Sequence, residues 1–94
     1  MSTTETIQET TVGDLGGVSV GVANLWERDY VDAAGAPRHG MTARVAWTDA
    51  SSDHWEVVGA GSALRLGAHR WTVVRVDKSE GSLGSVTWTR DDGA

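Results

Sequence analysis

The chain has 94 residues, a formal net charge of −5 at pH 7 and no cysteine. A chain of this length forms one domain that buries roughly two-thirds of its unfolded surface, so there is no room for a separate catalytic domain. Nucleic-acid affinity depends on neutralising phosphates with Lys and Arg, and the acidic balance therefore argues against a general DNA or RNA binder. Without thiols there is neither a disulfide nor a thiolate metal site, and we expect a soluble cytoplasmic protein.

The excess of acid lies in the first third of the chain. Residues 1–32 contain one base, Arg28, against the acids Glu5, Glu9, Asp14, Glu27, Asp29 and Asp32. The first eleven residues are polar, unlike an export signal, and no stretch approaches the roughly 20 apolar residues of a membrane helix. We expect no membrane partner, whereas a basic protein partner or a cation suits the charge.

We expect residues 1–4 to be disordered, residues 5–90 to form a single β domain and residues 91–94 to be a tail.

The N-terminal half of this domain begins with sequence patterns that are typical of short β-strands. Residues 5–12 are rich in Thr and predict an edge strand, and the glycines at 13, 16 and 17 predict a turn region. Val18, Val20 and Val22 then alternate with small or polar residues, which predicts a half-buried strand, and Gly21 inside it indicates a bulge or a Trp packed across the backbone.

The middle of the chain consists of an irregular stretch followed by a predicted hairpin. Residues 26–40 have no periodicity and contain the only proline and two glycines, which predicts a long loop. Residues 41–48 alternate apolar with polar side chains, and residues 54–58 are expected to pair back across that strand.

The densest apolar segment, residues 55–76, predicts three short strands joined by glycine turns at 59–61 and 67–70, as two hairpins in series. Both faces of residues 71–76 are apolar, which predicts a strand covered on both sides. A last strand follows over 83–90. About seven short strands without helical periodicity predict an all-β fold, a single small antiparallel β-sandwich or partly open β-barrel.

The C-terminal half reads as an apolar strand, a Gly turn, L-x-L-G, a short loop, W-x-V-x-x-V and a final apolar strand. The residues that carry this pattern are Val57, Gly59, Leu64, Leu66, Gly67, Trp71, Val73 and Val76. The arrangement resembles small uncharacterised all-β domain proteins of actinobacteria. The resemblance implies an all-β fold and brings no activity with it.

The 26–40 loop is the leading candidate for a partner contact, because aromatic and Arg side chains supply most interface hot spots. The predicted partner-binding residues are Trp26, Arg28, Asp29, Tyr30, Asp32 and Arg38. An alternative places Trp26 in the core and leaves only Tyr30 exposed. Glu27, Asp29 and Asp32 could instead chelate a hard cation, but their spacing departs from the calcium-loop pattern.

Three further sets of residues are weaker candidates for a functional site than the 26–40 loop. His39, His54 and His69 are spaced by fifteen residues and could converge as a three-His metal site, although each adjoins a turn where a solvated ring is expected. Ser52, Asp53 and His54 are the residue types of a Ser–His–Asp catalytic triad. Neighbouring residues in a strand point to opposite faces, so these three cannot form a triad among themselves. The tryptophans at 47, 55, 71 and 88 could stack a sugar or base, and strand spacing favours the core for them.

These observations predict a non-enzymatic binding module, of an accessory, immunity or assembly type, that contacts a protein partner through the 26–40 loop or a sheet edge. The Thr-rich first strand is the candidate edge for a homodimer. No catalytic residue and no cofactor are assigned. The alternatives are a small-ligand or metal-binding β domain that uses His and Trp residues, and a small β-barrel enzyme with a His general base.

Overall fold

The computed structural model describes residues 2–49, 52–67, 69–78, 81 and 83–91, without the side chains of Ser2 and Asp91. Its eight strands are β1 (Ser2–Gln8), β2 (Val12–Leu15), β3 (Val18–Val31), β4 (Pro37–Thr48), β5 (Asp53–Gly59), β6 (Ala63–Leu66), β7 (His69–Asp77) and β8 (Ser85–Asp91). They form two four-stranded sheets, ordered β1-β8-β7-β6 and β2-β3-β4-β5. Every pairing is antiparallel. The predicted all-β fold is therefore confirmed.

The core lies between the two sheets and draws on the inner face of each. Trp71 and Trp88 of the first sheet are almost completely buried, and they are the largest core side chains. The other buried apolar residues are Ile7, Leu15, Val20, Val22, Leu25, Ala43, Val45, Val58, Leu64, Leu66, Val73 and Val86. Within the described part of the chain the indole N–H groups of Trp71 and Trp88 find no hydrogen-bond partner. Buried indole N–H groups usually have such a partner, so these two are exceptions.

The N-terminal region is more regular than its composition indicates. β1 begins at Ser2, three residues before the expected start at Glu5, and it is an edge strand as predicted. Gly13 and Asp14 lie inside strand β2 rather than in a turn, and the turn is made by Gly16 and Gly17, which have positive φ. β2 is the strand that raises the count from about seven to eight. Met1 and residues 92–94 lie outside the described residues, as does residue 68 of the predicted turn at 67–70.

The apolar segment 55–76 is divided between the two sheets. β5 belongs to one sheet and β6 to the other, so only β6 and β7 form a hairpin and the predicted pair of hairpins in series is wrong. The chain changes sheets at Gly59–Ser62, where Gly61 N–H donates to the Val73 carbonyl and Val73 N–H donates to the Ser62 carbonyl. These bonds replace the pairing that a β5–β6 hairpin would have made.

Strand β7 is covered on one face only, contrary to the prediction from its apolar residues. Val73 pairs with Trp88, but Thr87 pairs with Arg75, so Val74 is the extra residue of a bulge. Because a bulge reverses the alternation, Val76 returns to the core side while Val74 is exposed.

Residues 26–40 are a β-hairpin and not a loop. β3 continues to Val31, β4 begins at Pro37, and their pairing runs from Trp26–Thr42 to Val31–Pro37. The hairpin carries few apolar residues to mark a buried face, so the alternation that identifies a half-buried strand is missing from its sequence. No helix in the described part of the chain is long and apolar enough to cross a membrane.

Candidate functional site: an exposed tryptophan–arginine face

The outer face of the β2-β3-β4-β5 sheet carries a shallow apolar groove. The strand register aligns Val12, Gly21, Ala46 and Trp55 in one row across all four strands. The two central residues have almost no side chain, whereas Val12 and Trp55 at the two edges are 70% and 59% exposed. The row is therefore low in the middle and high at both ends, and it forms the floor and walls of a shallow groove that Ser19, Thr48 and Asp53 also line.

A bulge in β3 brings Trp26 to this face. Ala23 pairs with Arg44 and Trp26 with Thr42, so β3 has one more residue than β4 between these pairs. Asn24 occupies the bulge with a φ of 52°, a left-handed conformation that Asn accepts more readily than most residues. Without the extra residue, Trp26 would continue the series of Val20 and Val22 and point into the core. The alternative that Trp26 is a core residue is therefore wrong, and its side chain is 48% exposed.

Trp26 and Trp55 border a cavity of about 240 Å³ on the outer face. Thr42 is fully buried and its hydroxyl donates to the Trp26 carbonyl oxygen at 2.9 Å. The complete lining is Asn24, Trp26, Arg28, Thr42, Arg44, Trp55 and Val57. Arg44 and Trp55 also line the groove, so the cavity and the groove form one continuous surface. We call this surface the tryptophan–arginine face.

Two arginines lie against the two tryptophans. The Arg44 guanidinium carbon is 4.5 Å from the centroid of the Trp55 ring, and that of Arg28 is 5.7 Å from the centroid of Trp26. Both distances lie within the range of cation–π attraction. Within the described residues neither guanidinium has a carboxylate within 4 Å. The cavity lining thus contains two cations and no acid, in a chain with 13 acidic and 8 basic residues.

The far end of the hairpin makes contacts within the chain. The Tyr30 hydroxyl donates to the Ala60 carbonyl at 2.7 Å, and its ring lies where a Cβ on Gly59 would be. Ala33 N–H donates to the Gly61 carbonyl at 3.0 Å. Tyr30 therefore anchors the hairpin on the turn that joins the two sheets.

Asp32 organises the hairpin turn. Its Oδ1 accepts hydrogen bonds from the N–H groups of Ala34 and Ala36 at 2.9 and 3.0 Å, and its Oδ2 accepts one from Arg38 Nε at 2.7 Å. The side chain is only 7% exposed. The Ala36 N–H, followed by the Ala34 N–H and the Arg38 guanidinium, holds the pKa of Asp32 below its ordinary value, against the opposing effect of burial.

The three histidines lie far from one another. His39 Nδ1 is 2.8 Å from Asp29 Oδ1 on the hairpin, and His54 Nε2 is 2.7 Å from Asp49 Oδ2 at the opposite end of β4. The His39 position and Trp47, the partner of His54, are eight residues apart on one strand, which corresponds to about 25 Å. His69 is on β7 in the other sheet. Among the residues described, no group of three or more His, Asp and Glu could hold a metal ion. The three histidines therefore do not converge, and the three-His site that their spacing left open does not form.

The six residues predicted to bind a partner fall into two groups. Trp26 and Arg28 belong to the tryptophan–arginine face. Tyr30, Asp32 and Arg38 bind within the hairpin and the neighbouring turn, and Asp29 contacts His39 with its side chain 92% exposed. The structure adds Arg44 and Val57, which sequence reasoning placed in ordinary strands, and Trp55. The core position that strand spacing favoured for Trp55 is wrong, because this residue is 59% exposed on the outer face.

The opposite face of the molecule is polar. The register of the β1-β8-β7-β6 sheet aligns Thr4, Thr89, Thr72 and Ala63 in one outer row and Thr6, Thr87 and Arg75 in the next. Thr6 and Thr87 are hydrogen-bonded through their hydroxyls at 3.3 Å. We call this surface, defined by Thr4, Thr6, Thr72, Thr87 and Thr89, the threonine face.

Comparison with known proteins gives no relative: no protein-family model matches the chain, and no curated protein or solved structure matches it significantly.

Proposed function

We propose that this protein is a non-enzymatic binding module that contacts a protein partner through the tryptophan–arginine face. The observation that carries the proposal is the pair of exposed tryptophans, each with an arginine over its ring, beside an apolar groove. Trp and Arg are the residues most enriched among interface hot spots, and such residues act from well-packed pockets near the centre of an interface.

The proposal changes the surface expected from the sequence. Trp26 and Arg28 remain partner contacts, whereas Tyr30, Asp32 and Arg38 have structural contacts that a deletion of residues 26–40 would destroy. Substitutions on the face are therefore the informative variants. The accessory, immunity or assembly role and the cytoplasmic location stay predictions.

Affinity capture from cells that express the protein tests the proposal. We expect Trp55→Ser to lose the captured partner and Val74→Ser to keep it. Val74 is the matched control because it is also an exposed apolar strand residue, but on the opposite sheet. Equal capture by both variants and by the wild-type chain would exclude the tryptophan–arginine face as the contact surface.

A second association, with another copy of this chain, is favoured by the position of β1. This seven-residue strand is an edge of its sheet, with β8 as its paired neighbour. An unpaired strand edge presents backbone N–H and C=O groups to which another strand can add. Light scattering over a range of concentrations is expected to give a dimer mass at high concentration, and a monomer mass throughout would contradict this association.

A further inference from the structure

We infer that the cavity between Trp26 and Trp55 receives a carboxylate side chain from an extended segment of the partner. The inference rests on the proposed function and specifies the chemistry of the partner at that site. It is drawn from the charge, the size and the surroundings of the cavity.

The charge of the cavity selects an anion. Arg28 and Arg44 both line it, and the described residues offer neither guanidinium a carboxylate within 4 Å. Arg38 and Arg75 do have such partners, in Asp32 and Asp77, both at 2.7 Å. Arg65 and Arg70 have none among the described residues either, but they are exposed and do not line the cavity. Arginine forms its strongest hydrogen bonds with carboxylates and phosphates, often through two parallel N–H groups. An anionic group of the partner would provide what the cavity lining lacks.

The size of the cavity suits a short side chain. Its volume is about 240 Å³, below the roughly 300–1,000 Å³ of sites that enclose drug-sized ligands. Along the Arg44–Trp55 wall it opens to the groove of about 540 Å³, which has room for the chain that carries the side chain. A short group that projects from a longer chain fits such a space, and the two indole rings would shield the ion pair from water and strengthen it.

The groove accommodates the rest of the segment. Its floor is made by Gly21 and Ala46, so a backbone can approach the sheet closely there, and Val12 and Trp55 stand at its sides. The groove contains one acid, Asp53, whose Oδ1 accepts a hydrogen bond from the Thr48 hydroxyl at 2.7 Å. Asp53 pairs with Thr48, which is four positions along β4 from Arg44. Asp53 therefore lies about 13 Å from the Arg44 row, measured along the strands. The cationic and anionic ends of the surface are thus separate, and the segment is oriented with its carboxylate at the cavity and apolar residues in the groove.

The experiment is a selection of displayed random ten-residue peptides on the intact wild-type chain, followed by affinity measurements with synthetic peptides. We expect the selected peptides to share an Asp or Glu at a fixed distance from an apolar residue. Arg44→Gln should weaken binding about 10-fold or more, as should replacing the peptide's acid by its amide. The two changes together should cost little more than either alone, because both remove the same ion pair.

Matched variants separate this inference from the proposed function. Arg65→Gln removes an exposed arginine from the other sheet and should leave peptide affinity unchanged, and circular dichroism shows whether each variant is folded. Arg28→Gln provides a second test of the cavity if Arg44→Gln fails to fold.

One outcome would overturn the inference and leave the proposed function standing. In that outcome, Trp55→Ser lowers peptide affinity, whereas the two Arg→Gln variants and the replacement of the peptide's acid by its amide leave it unchanged. A selection that yields no peptide for the wild-type chain would also overturn it, while the Trp55→Ser and Val74→Ser capture experiment decides the proposed function independently.

Discussion

The two outer faces of the sandwich are built on the same plan of four antiparallel strands but carry opposite chemistry. The threonine face aligns small hydroxyl side chains across the strands, and the bond between Thr6 and Thr87 joins two neighbouring strands. The tryptophan–arginine face has two large exposed indoles on either side of a cavity, and glycine and alanine form the groove floor between Val12 and Trp55. Rows of threonines make the first surface mainly polar, whereas large residues beside small ones make the second concave and apolar. The difference is the reason for proposing the second face, rather than the first, as the binding surface.

The largest expected effect comes from comparing an inner with an outer tryptophan. Trp88→Ala should lower the free energy of unfolding by about 3–5 kcal/mol, because it removes a fully buried aromatic side chain from the core. Trp55→Ser removes an indole that is mostly solvated, and its effect should stay within about 1 kcal/mol. Urea denaturation of both variants measures the contrast. A large loss for Trp55→Ser would mean that the outer tryptophan supports the fold and would weaken the case for a binding role.

A smaller effect is expected at Asn24, whose bulge directs Trp26 outward. Asn24→Val should destabilise the protein by about 1–2 kcal/mol, because a β-branched residue is strained at a φ of 52°. Asn24→Gly is the matched control, since glycine accepts this conformation and should change stability by much less. Thermal unfolding of the two variants distinguishes them. Equal stability of both would contradict the left-handed bulge and, with it, the outward position of Trp26.

A pH-dependent effect is expected at Asp32, in the hairpin turn at the structural end of the hairpin. Its pKa is lower in the folded chain than in the unfolded chain, so its contribution to stability is complete above the unfolded pKa of about 4. That contribution is lost as the pH falls through the lower, folded pKa. Urea denaturation between pH 2 and 7 should show a smaller acid loss for Asp32→Asn than for the wild-type chain. Asp29→Asn, on the same hairpin with an exposed side chain, controls for the loss of one negative charge.

An acid loss that is identical in wild-type and Asp32→Asn chains would show that the Asp32 hydrogen bonds do not hold the hairpin turn. The hairpin would then be free to take part in partner binding, and the boundary drawn between its structural end and the tryptophan–arginine face would move.

The sequence was sufficient to predict the fold class but not the arrangement of the face. Alternation with a period of two identifies Val20, Val22, Val45 and Trp71 as strand residues, because burial of one sheet face imposes that period on the sequence. The bulges at Asn24 and Val74 each reverse the alternation without a strong local signal. Asn24 offered the one hint, since Asn tolerates a left-handed backbone, and without it Trp26 could be either core or surface.

The candidate site depends on pairings that sequence spacing does not contain. Trp26 and Trp55 are 29 residues apart and meet because β4 lies between their strands, with Thr42 and Ala46 as the respective partners. The groove likewise requires Gly21 and Ala46 to be opposite each other. The register between strands depends on the whole sheet and on its bulges. The sequence therefore identifies these residues as strand residues but does not predict that they share one surface.

Site-directed photocrosslinking in cells tests the central claim most directly. A photoreactive amino acid is placed at Ser19, on the rim of the groove, or at Thr72, which pairs with Thr89 in the threonine face. We predict that the Ser19 position forms a crosslink to a partner protein, that Trp55→Ser abolishes this crosslink, and that the Thr72 position forms none. A crosslink at Thr72 but not at Ser19 would contradict the assignment of the tryptophan–arginine face as the binding surface.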